Sequence, residues 1–259
     1  MTPVLQFDAA AATDPGWRFK ENQDAVLLGT QLGQGSFQHS IRGCTNLLAA
    51  VADGLAHAPC AARASRMVLE QLLALSGEGL TSRVTRAIQQ HLASRAAGTR
   101  CEGMASTLAA MHLSSERVRV VSVGDTRIYL WRDGRLVQVT IDHTIANRMV
   151  REGDLTQEEA ARAGSLYSDL DSALVASEFD DMFEIFDTTV SALPGDCWLC
   201  VSDGITAALP DAEIGELTAS LQHAPVEQLV AALLDRAKRH RASDDNLSAI
   251  AVRVTIAAL

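Results

Sequence analysis

The sequence has no run of about 18 consecutive apolar residues, so it offers no membrane-spanning helix. Its first residues, Met-Thr-Pro-Val-Leu-Gln-Phe-Asp, lack the basic and apolar regions of an export signal, and the expected location is the cytoplasm. Cysteine is sparse: five residues, an odd number spread over 259, do not make a disulfide framework. Cys197 and Cys200 form a C-x-x-C, but inside Cys-Trp-Leu-Cys-Val, which reads as a buried strand whose residues three apart face opposite ways. With no second Cys/His pair to complete a tetrahedral zinc site, buried thiols are the expectation. Positive charge is also short. The 22 Lys and Arg face 32 Asp and Glu, and a net charge of −10 argues against nucleic acid as a partner. Between Arg162 and Arg236 there is no Lys or Arg at all, while 14 acids run from Asp169 to Asp235. Such a stretch is either a solvated acidic face or a field that draws in cations.

What the chain does have is apolar residues, 47% of the total, enough for a core of ample size, and its length suits one large domain over residues 1–259. The most informative stretch is Leu47 to Gly54, Leu-Leu-Ala-Ala-Val-Ala-Asp-Gly. Six apolar residues in a row fit a strand buried on both faces. The carboxylate of Asp53 stands at its exit, and Gly54 leaves the backbone open to an ion or phosphate.

Around this strand the pattern predicts another at Asp24 to Gly29, and a loop or short hairpin at Gly33 to Gly43. A helix is predicted from Pro59 with Ala61, Ala64, Val68, Leu72 and Leu75 inward, and a second from Thr81 with Leu80, Val84, Ile88 and Leu92 inward. Two consecutive helices break any βαβ rhythm. Four short strands then follow, Ala105 to Leu113, Arg117 to Val123, Thr126 to Trp131 and Leu136 to Val139. Asp133-Gly134 is a hairpin signal, and the set reads as an antiparallel meander. Helices are expected at Ile145 to Arg151 and at Glu158 to Ala163, the latter opened by a Thr156/Glu159 capping box. Residues 164–181 have no clean period and read as a flap. Strands at Phe183 to Val190 and Cys197 to Ser202, helices opened by Pro210-Asp211 and Pro225, and a last strand at Leu247 to Val254 complete the chain. The order suits α+β: two antiparallel sheets packed together with helix pairs outside, an α-β-β-α sandwich.

Five aspartates cluster at strand ends: Asp24, Asp53, Asp125, Asp203 and Asp245. Any one alone reads as a turn or cap residue. Together, three of them abutting buried runs, they call for a counter-charge, because neighbouring carboxylates raise one another's pKa and destabilise the fold. Ligation by oxygen alone selects Mg²⁺ or Mn²⁺ over zinc or copper.

The motifs Glu21-Asn-Gln-Asp-Ala25, Val51-Ala-Asp-Gly54, Gly103-Met-Ala-Ser-Thr107, Val123-Gly-Asp-Thr-Arg127 with Tyr129, and Arg132-Asp-Gly-Arg-Leu136 are followed by Asp142-His-Thr144, Pro194-Gly-Asp196, Val201-Ser-Asp-Gly204 and Ser243-Asp-Asp-Asn246. In this order, over residues 16 to 254, the sequence resembles the metal-dependent protein phosphatase 2C family, and the α-β-β-α sandwich is that family's fold. The resemblance implies hydrolysis of phosphoserine and phosphothreonine in proteins, with two Mn²⁺ or Mg²⁺ ions and a third, weaker site at Asp125. It implies that Asp53 bridges the two ions, Gly54 offers its carbonyl, Asp203 and Asp245 complete the first ion, and Asp24 supports the site through bound water. A water held between the ions attacks phosphorus in line. Arg18 is the choice for gripping the phosphate, with Lys20 in reserve, because guanidinium matches phosphate oxygens bidentately. The implied partners are phosphorylated proteins of a Ser/Thr protein kinase, with no nucleic acid or membrane, and the chain is expected to act as a monomer.

Three departures stand out. Gln23 replaces a frequent glutamate, removing a negative charge near the second ion. The segment Leu55 to Cys60 places His57 one position early, and His57 reads as a surface residue rather than a general acid. The flap lacks the usual Arg-containing pattern and is acidic. The first two motivate an alternative, a catalytically silent phosphoprotein-binding module of the same fold. A haloacid-dehalogenase-type phosphatase needs Asp-x-Asp, and Asp53-Gly-Leu lacks the second acid.

Overall fold

The computed structural model describes residues 4–114, 116–163, 169–177, 183–240 and 244–257. In chain order the strands are β1 (Leu5–Asp14), β2 (Asp24–Leu28), β3 (Gln31–Gln34), β4 (Phe37–Cys44), β5 (Asn46–Asp53), β6 (Ala105–Ser106), β7 (Leu108–Ser114), β8 (Arg117–Val123), β9 (Arg127–Arg132), β10 (Arg135–Gln138), β11 (Leu174–Val175), β12 (Phe186–Ser191), β13 (Cys197–Val201) and β14 (Leu247–Ile256). The α-helices are α1 (Ala61–Ala74), α2 (Ser82–Ala96), α3 (Ile145–Glu152), α4 (Gln157–Ala163), α5 (Asp203–Ala208), α6 (Asp211–Ser220) and α7 (Val226–Arg239).

Two six-stranded antiparallel sheets stack face to face. One has the order β10-β9-β13-β14-β1-β4, the other β12-β8-β7-β5-β2-β3, and β11 with β6 forms a small separate pair. Phe7, Val26, Leu47, Val51, Met111, Val120, Trp198 and Ile250 fill the space between the sheets. Helices α1 and α2 cover the second sheet through Val68, Leu72, Val84, Ile88 and Leu92. Helices α5, α6 and α7 cover the first through Ile205, Ile214, Leu229, Val230 and Leu233. This is the expected α-β-β-α sandwich, with short α5 added to one helix pair. The stripe of α1 is inward as predicted, except that Leu75 caps the helix and is only half-buried; Arg63, Arg66 and Glu70 are exposed.

Strand β5 is buried on both faces, as its unbroken apolar run predicts. Leu47, Ala49 and Val51 enter the inter-sheet core, while Ala50 and Ala52 pack under α1. The same holds for β13, where Cys200 faces the inter-sheet core and Cys197 faces the helices. Burial raises both thiols, Cys197 to about 12, so they are inert packing groups.

The structure differs from the sequence expectation in four places. Strand β1 is unanticipated, because Ala9 to Ala12 have weak strand preference and, buried on both sides, show no polar alternation; pairing with β14 along its whole length decides their state. The Gly33 to Gly43 region is two strands serving different sheets, β3 on β2 and β4 on β1. The expected meander is two hairpins in different sheets: β7 pairs with β8, and β9 with β10. Gly124 makes the change of sheet, at φ +100° with its N–H on His143 Nδ1 at 3.0 Å. A fourth difference is a disulfide between Cys60 and Cys101. The flap expected at 164–181 falls partly outside the described residues; 169–177 supply β11. No helix among the described residues is long and apolar enough to cross a membrane.

Candidate metal centre

The antiparallel pairing of β2 and β5 sets Asp24 directly opposite Asp53. The pairing of β13 with β14 brings the ends of those strands to the same edge, so that Asp203, the first residue of α5, and Asp245, just before β14, join them. Asp125 follows the Gly124 turn. Four strand ends and the Gly124 turn therefore gather five acids that are far apart in sequence.

Asp53 is held by the backbone and hydroxyls around it. The carbonyl of Asp53 accepts from Thr107 N–H at 2.8 Å and the Ser106 hydroxyl at 2.9 Å, and its N–H donates to Thr107 Oγ1 at 3.0 Å. Gly54 donates its N–H to the Gln23 carbonyl at 3.1 Å. A Cβ on Gly54 would lie 2.2 Å from the Ala61 carbonyl oxygen, so glycine is required for the metal loop to lie against the first turn of α1. Asn246 Oδ1 accepts from Gln23 N–H at 2.7 Å, and its Nδ2 donates to the Pro15 carbonyl at 2.8 Å, tying the Asp245 loop to the Asp24 loop.

Asp24 is 1% exposed, and its Oδ2 accepts two hydroxyls, Ser202 at 2.8 Å and Ser248 at 2.7 Å. The Thr13 and Ser248 hydroxyls lie 2.7 Å apart, and Asn22 Nδ2 donates to Thr13 Oγ1 at 2.7 Å. Since Ser248 has one hydroxyl proton and gives it to Asp24, Thr13 is the donor to Ser248. The chain Asn22, Thr13, Ser248, Asp24 thus polarises in one direction. Ser202, Ser248, Thr107 and Thr13 are the supporting residues that sequence reasoning missed. The available signal was a hydroxyl inside an otherwise apolar buried run next to a motif acid.

The carboxylates repel one another. Burial, and then the charges of Asp203 and Asp245, lift Asp24 to about 7 against its hydroxyl donors. Burial followed by the charges of Asp203 and Asp24 pushes Asp53 well above the carboxylate range. Asp125 rises to about 7 by burial and then by Asp203 and Asp142, and Asp245 rises by burial and then by Asp203. Oδ1 of Asp203 is buried without a hydrogen-bond partner. An orphaned buried carboxylate oxygen among acids of raised pKa is the environment that a bound cation relieves. The donors are oxygens only, which fits a hard divalent ion. Among the described residues no three His, Cys, Asp or Glu side chains close on a single point.

Arg18 lies at the rim. It is exposed, 3.3 Å from Asp244 and stacked on Phe19, and its charge lowers Asp245. His57 is exposed on the other side, lining a cavity of about 520 Å³ with Leu55, Asp169, Asp171 and Phe183. Arg127 and Asp142 form a forked pair at 2.7 to 3.1 Å beside Asp125, extended through Tyr129 to Asp211 at 2.8 Å. Arg132 forks onto buried Asp196 at 2.7 Å, so the Arg132 and Pro194-Gly-Asp196 motifs serve the fold rather than the site.

The sequence model described as Protein phosphatase 2C matches residues 22–250, spanning all five acids. The chain belongs to the protein phosphatase 2C family. Within this family it is 30% identical over 253 residues to the serine/threonine protein phosphatase PstP of Mycobacterium tuberculosis, covering 95% of this chain but 44% of that protein's length. A crystal structure of M. tuberculosis PstP/Ppp superposes with a TM-score of 0.76 at 30% identity, covering 96% of this chain and 98% of that one. The catalytic domain of PstP in complex with two manganese ions gives 0.73 at 30% identity, covering 98% and 100%. The protein phosphatase 2C fold thus accounts for nearly the whole chain.

Proposed function

We propose that this chain is a metal-dependent phosphoprotein phosphatase that hydrolyses phosphoserine and phosphothreonine in proteins. The observation that carries the reading is the set of mutually repelling carboxylates around Asp53, Asp24 buried and the others partly so, with Asp203 Oδ1 orphaned. Such a set is costly without cations. Its similarity to the PstP catalytic domain with two manganese ions supports Mn²⁺ or Mg²⁺ as the partner. When bound, the ions neutralise charge on the phosphoryl oxygens and make a water nucleophilic near neutral pH.

The chain's own part is positioning. Asp53 stands between Asp24 and Asp203 and is the carboxylate best placed to serve two ions. With Asp53, the Gly54 carbonyl, Asp203 and Asp245 would hold a first ion, Asp24 would support it through the carboxylate edge that Ser202 and Ser248 leave free, and Asp125 would hold a third. Arg18 at the rim grips phosphate oxygens once it releases Asp244. The likeness to serine/threonine phosphatases supports phosphorylated targets of a Ser/Thr kinase. A monomer in the cytoplasm is the simplest setting, with residues 164–181 as the flap of one domain.

The test is Mn²⁺-dependent hydrolysis of p-nitrophenyl phosphate and of a phosphothreonine peptide. Activity is expected in the wild type and lost in Asp53→Ala. An inactive wild type, or a fully active variant, would sink the proposal and turn attention to the silent binding module.

A further inference from the structure

Two chain segments clamp Asp53, and they meet twice. Near the metal centre they are joined by hydrogen bonds: Thr107 N–H to the Asp53 carbonyl, a Gly54–Ser106 bridge, and Leu55 N–H to the Ala105 carbonyl at 3.0 Å. Further out the same segments are joined covalently by Cys60–Cys101, with Cα atoms 5.4 Å apart and a sequence separation of 41. The disulfide and the hydrogen bonds close a ring that contains the metal loop Gly54 to Cys60. Cys60 is the entry residue of α1, held at φ 56°, a left-handed conformation unusual for a residue with a side chain. The Cys101 side also carries β6, which pairs with β11 of the flap region.

The two cysteines are unlike the other three. Cys197 and Cys200 are buried with raised thiols, and burial also raises Cys44. Cys60 is partly exposed at the start of a 14-residue helix, while Cys101 is buried, with Arg63 Nη1 3.7 Å from its sulfur. A helix start and a nearby guanidinium both favour thiolate. An accessible thiol beside a buried resolving thiol is the arrangement of a reversible redox pair.

We propose that Cys60 and Cys101 form a reversible thiol–disulfide modification site that sets the metal affinity of the Asp53 loop, the oxidised form being the one that holds metal. The oxidant is a small-molecule disulfide of the glutathione class. Cys60 thiolate attacks one glutathione sulfur, forming a mixed disulfide and expelling one glutathione thiolate. Cys101 thiolate then attacks the Cys60 sulfur and expels the second. Two protein thiols lose two electrons, one glutathione disulfide gains them, and the two thiol protons pass to the departing glutathiones. Reduction opens the outer closure of the ring, leaving Gly54 to Cys60 held only by hydrogen bonds.

The effect on metal rests on the metal-centre reading above; the thiol chemistry does not. The experiment equilibrates the full-length chain in reduced and oxidised glutathione and reads three things: the Cys60–Cys101 bond by thiol trapping and mass spectrometry, Mn²⁺ affinity by calorimetry, and amide exchange over residues 54–60 and 101–107. Expected are reversible formation of the bond, Mn²⁺ binding about tenfold weaker in the reduced form, and faster exchange in both segments. The Cys60→Ser/Cys101→Ser double variant should match the reduced form whatever the glutathione ratio. Thiols that stay free in oxidised glutathione, or equal Mn²⁺ affinity in the two states, overturn the proposal. If neither state binds Mn²⁺, the metal-centre reading falls and the effect on metal affinity with it, while thiol trapping still decides whether Cys60 and Cys101 are a reversible redox pair.

Discussion

Removing metal should make this protein less stable as pH rises, and Asp24 gives the size of the effect. An unfolded aspartate titrates near 3.8, while in the fold Asp24 is lifted to about 7 by burial and by Asp203 and Asp245. A group whose folded pKa is raised favours the fold while it stays protonated there. Its contribution is lost between pH 4 and 7, as the unfolded chain ionises first. About three units at 1.36 kcal/mol each amount to about 4 kcal/mol as an upper figure. For a chain of this size that corresponds to roughly 10 °C in midpoint. Thermal or urea unfolding in EDTA at pH 5 and pH 8, with and without Mn²⁺, spans about two of those three units, or about 3 kcal/mol. His112 and His143, whose pKa values burial lowers, act in the opposite sense because they resist charging at low pH. The comparison therefore includes Asp24→Asn, which keeps the shape and removes the charge. The metal-free wild type should lose stability from pH 5 to 8 relative to Asp24→Asn, and Mn²⁺ should stabilise it more at pH 8, where the carboxylates are ionised. A wild type that tracks Asp24→Asn across this range would refute the reasoning.

Three further outcomes are expected. Gly54→Ala places a methyl 2.2 Å from the Ala61 carbonyl, a clash with backbone that cannot rotate away; a loss of about 1–3 kcal/mol in urea and of Mn²⁺ binding is predicted, and wild-type values for both would contradict it. Ser248→Ala removes one of two hydroxyls on Asp24 Oδ2 and leaves Thr13 without its acceptor, so Mn²⁺ affinity should fall by about 10- to 100-fold while Ser248→Thr retains much of it; calorimetry on both variants decides. The cavity beyond Gly54 carries exposed Asp169, whereas Asp171 is paired with Arg148 at 2.9 Å, so phosphopeptides with basic neighbours should be hydrolysed faster, with the preference fading as salt rises. Equal rates on acidic and basic peptides at low salt would remove that expectation.

The sequence by itself determined a great deal here. The six apolar residues before Asp53-Gly54 identify β5, and the five before Ser202-Asp203-Gly204 identify β13, as strands buried on both faces, because only full burial tolerates such unbroken apolar runs. Helical spacing determines the inner faces of α1, α2 and α7, and Thr156 with Glu159 forms the capping box its spacing implies, at 2.8 and 3.2 Å. The five aspartates were legible too, since an acid at the end of a buried strand has few structural uses.

Tertiary structure decided the rest. Alanine-rich β1 is a strand only because β14 and β4 supply its hydrogen bonds. Asp203 opens a helix rather than closing a turn, since Gly204 lets α5 lie against the Asn246 carbonyl, 2.1 Å from where a Cβ would stand. The hydroxyls of Ser202 and Ser248 gain their purpose from strands far apart in the chain that meet at Asp24. The joining of Cys60 to Cys101 is likewise set by packing, not spacing. Local pattern fixes which residues are buried, charged or helical. Which of them face each other depends on contacts between distant segments, and those fix the hydrogen-bond partners, the raised pKa values and the clamp around Asp53.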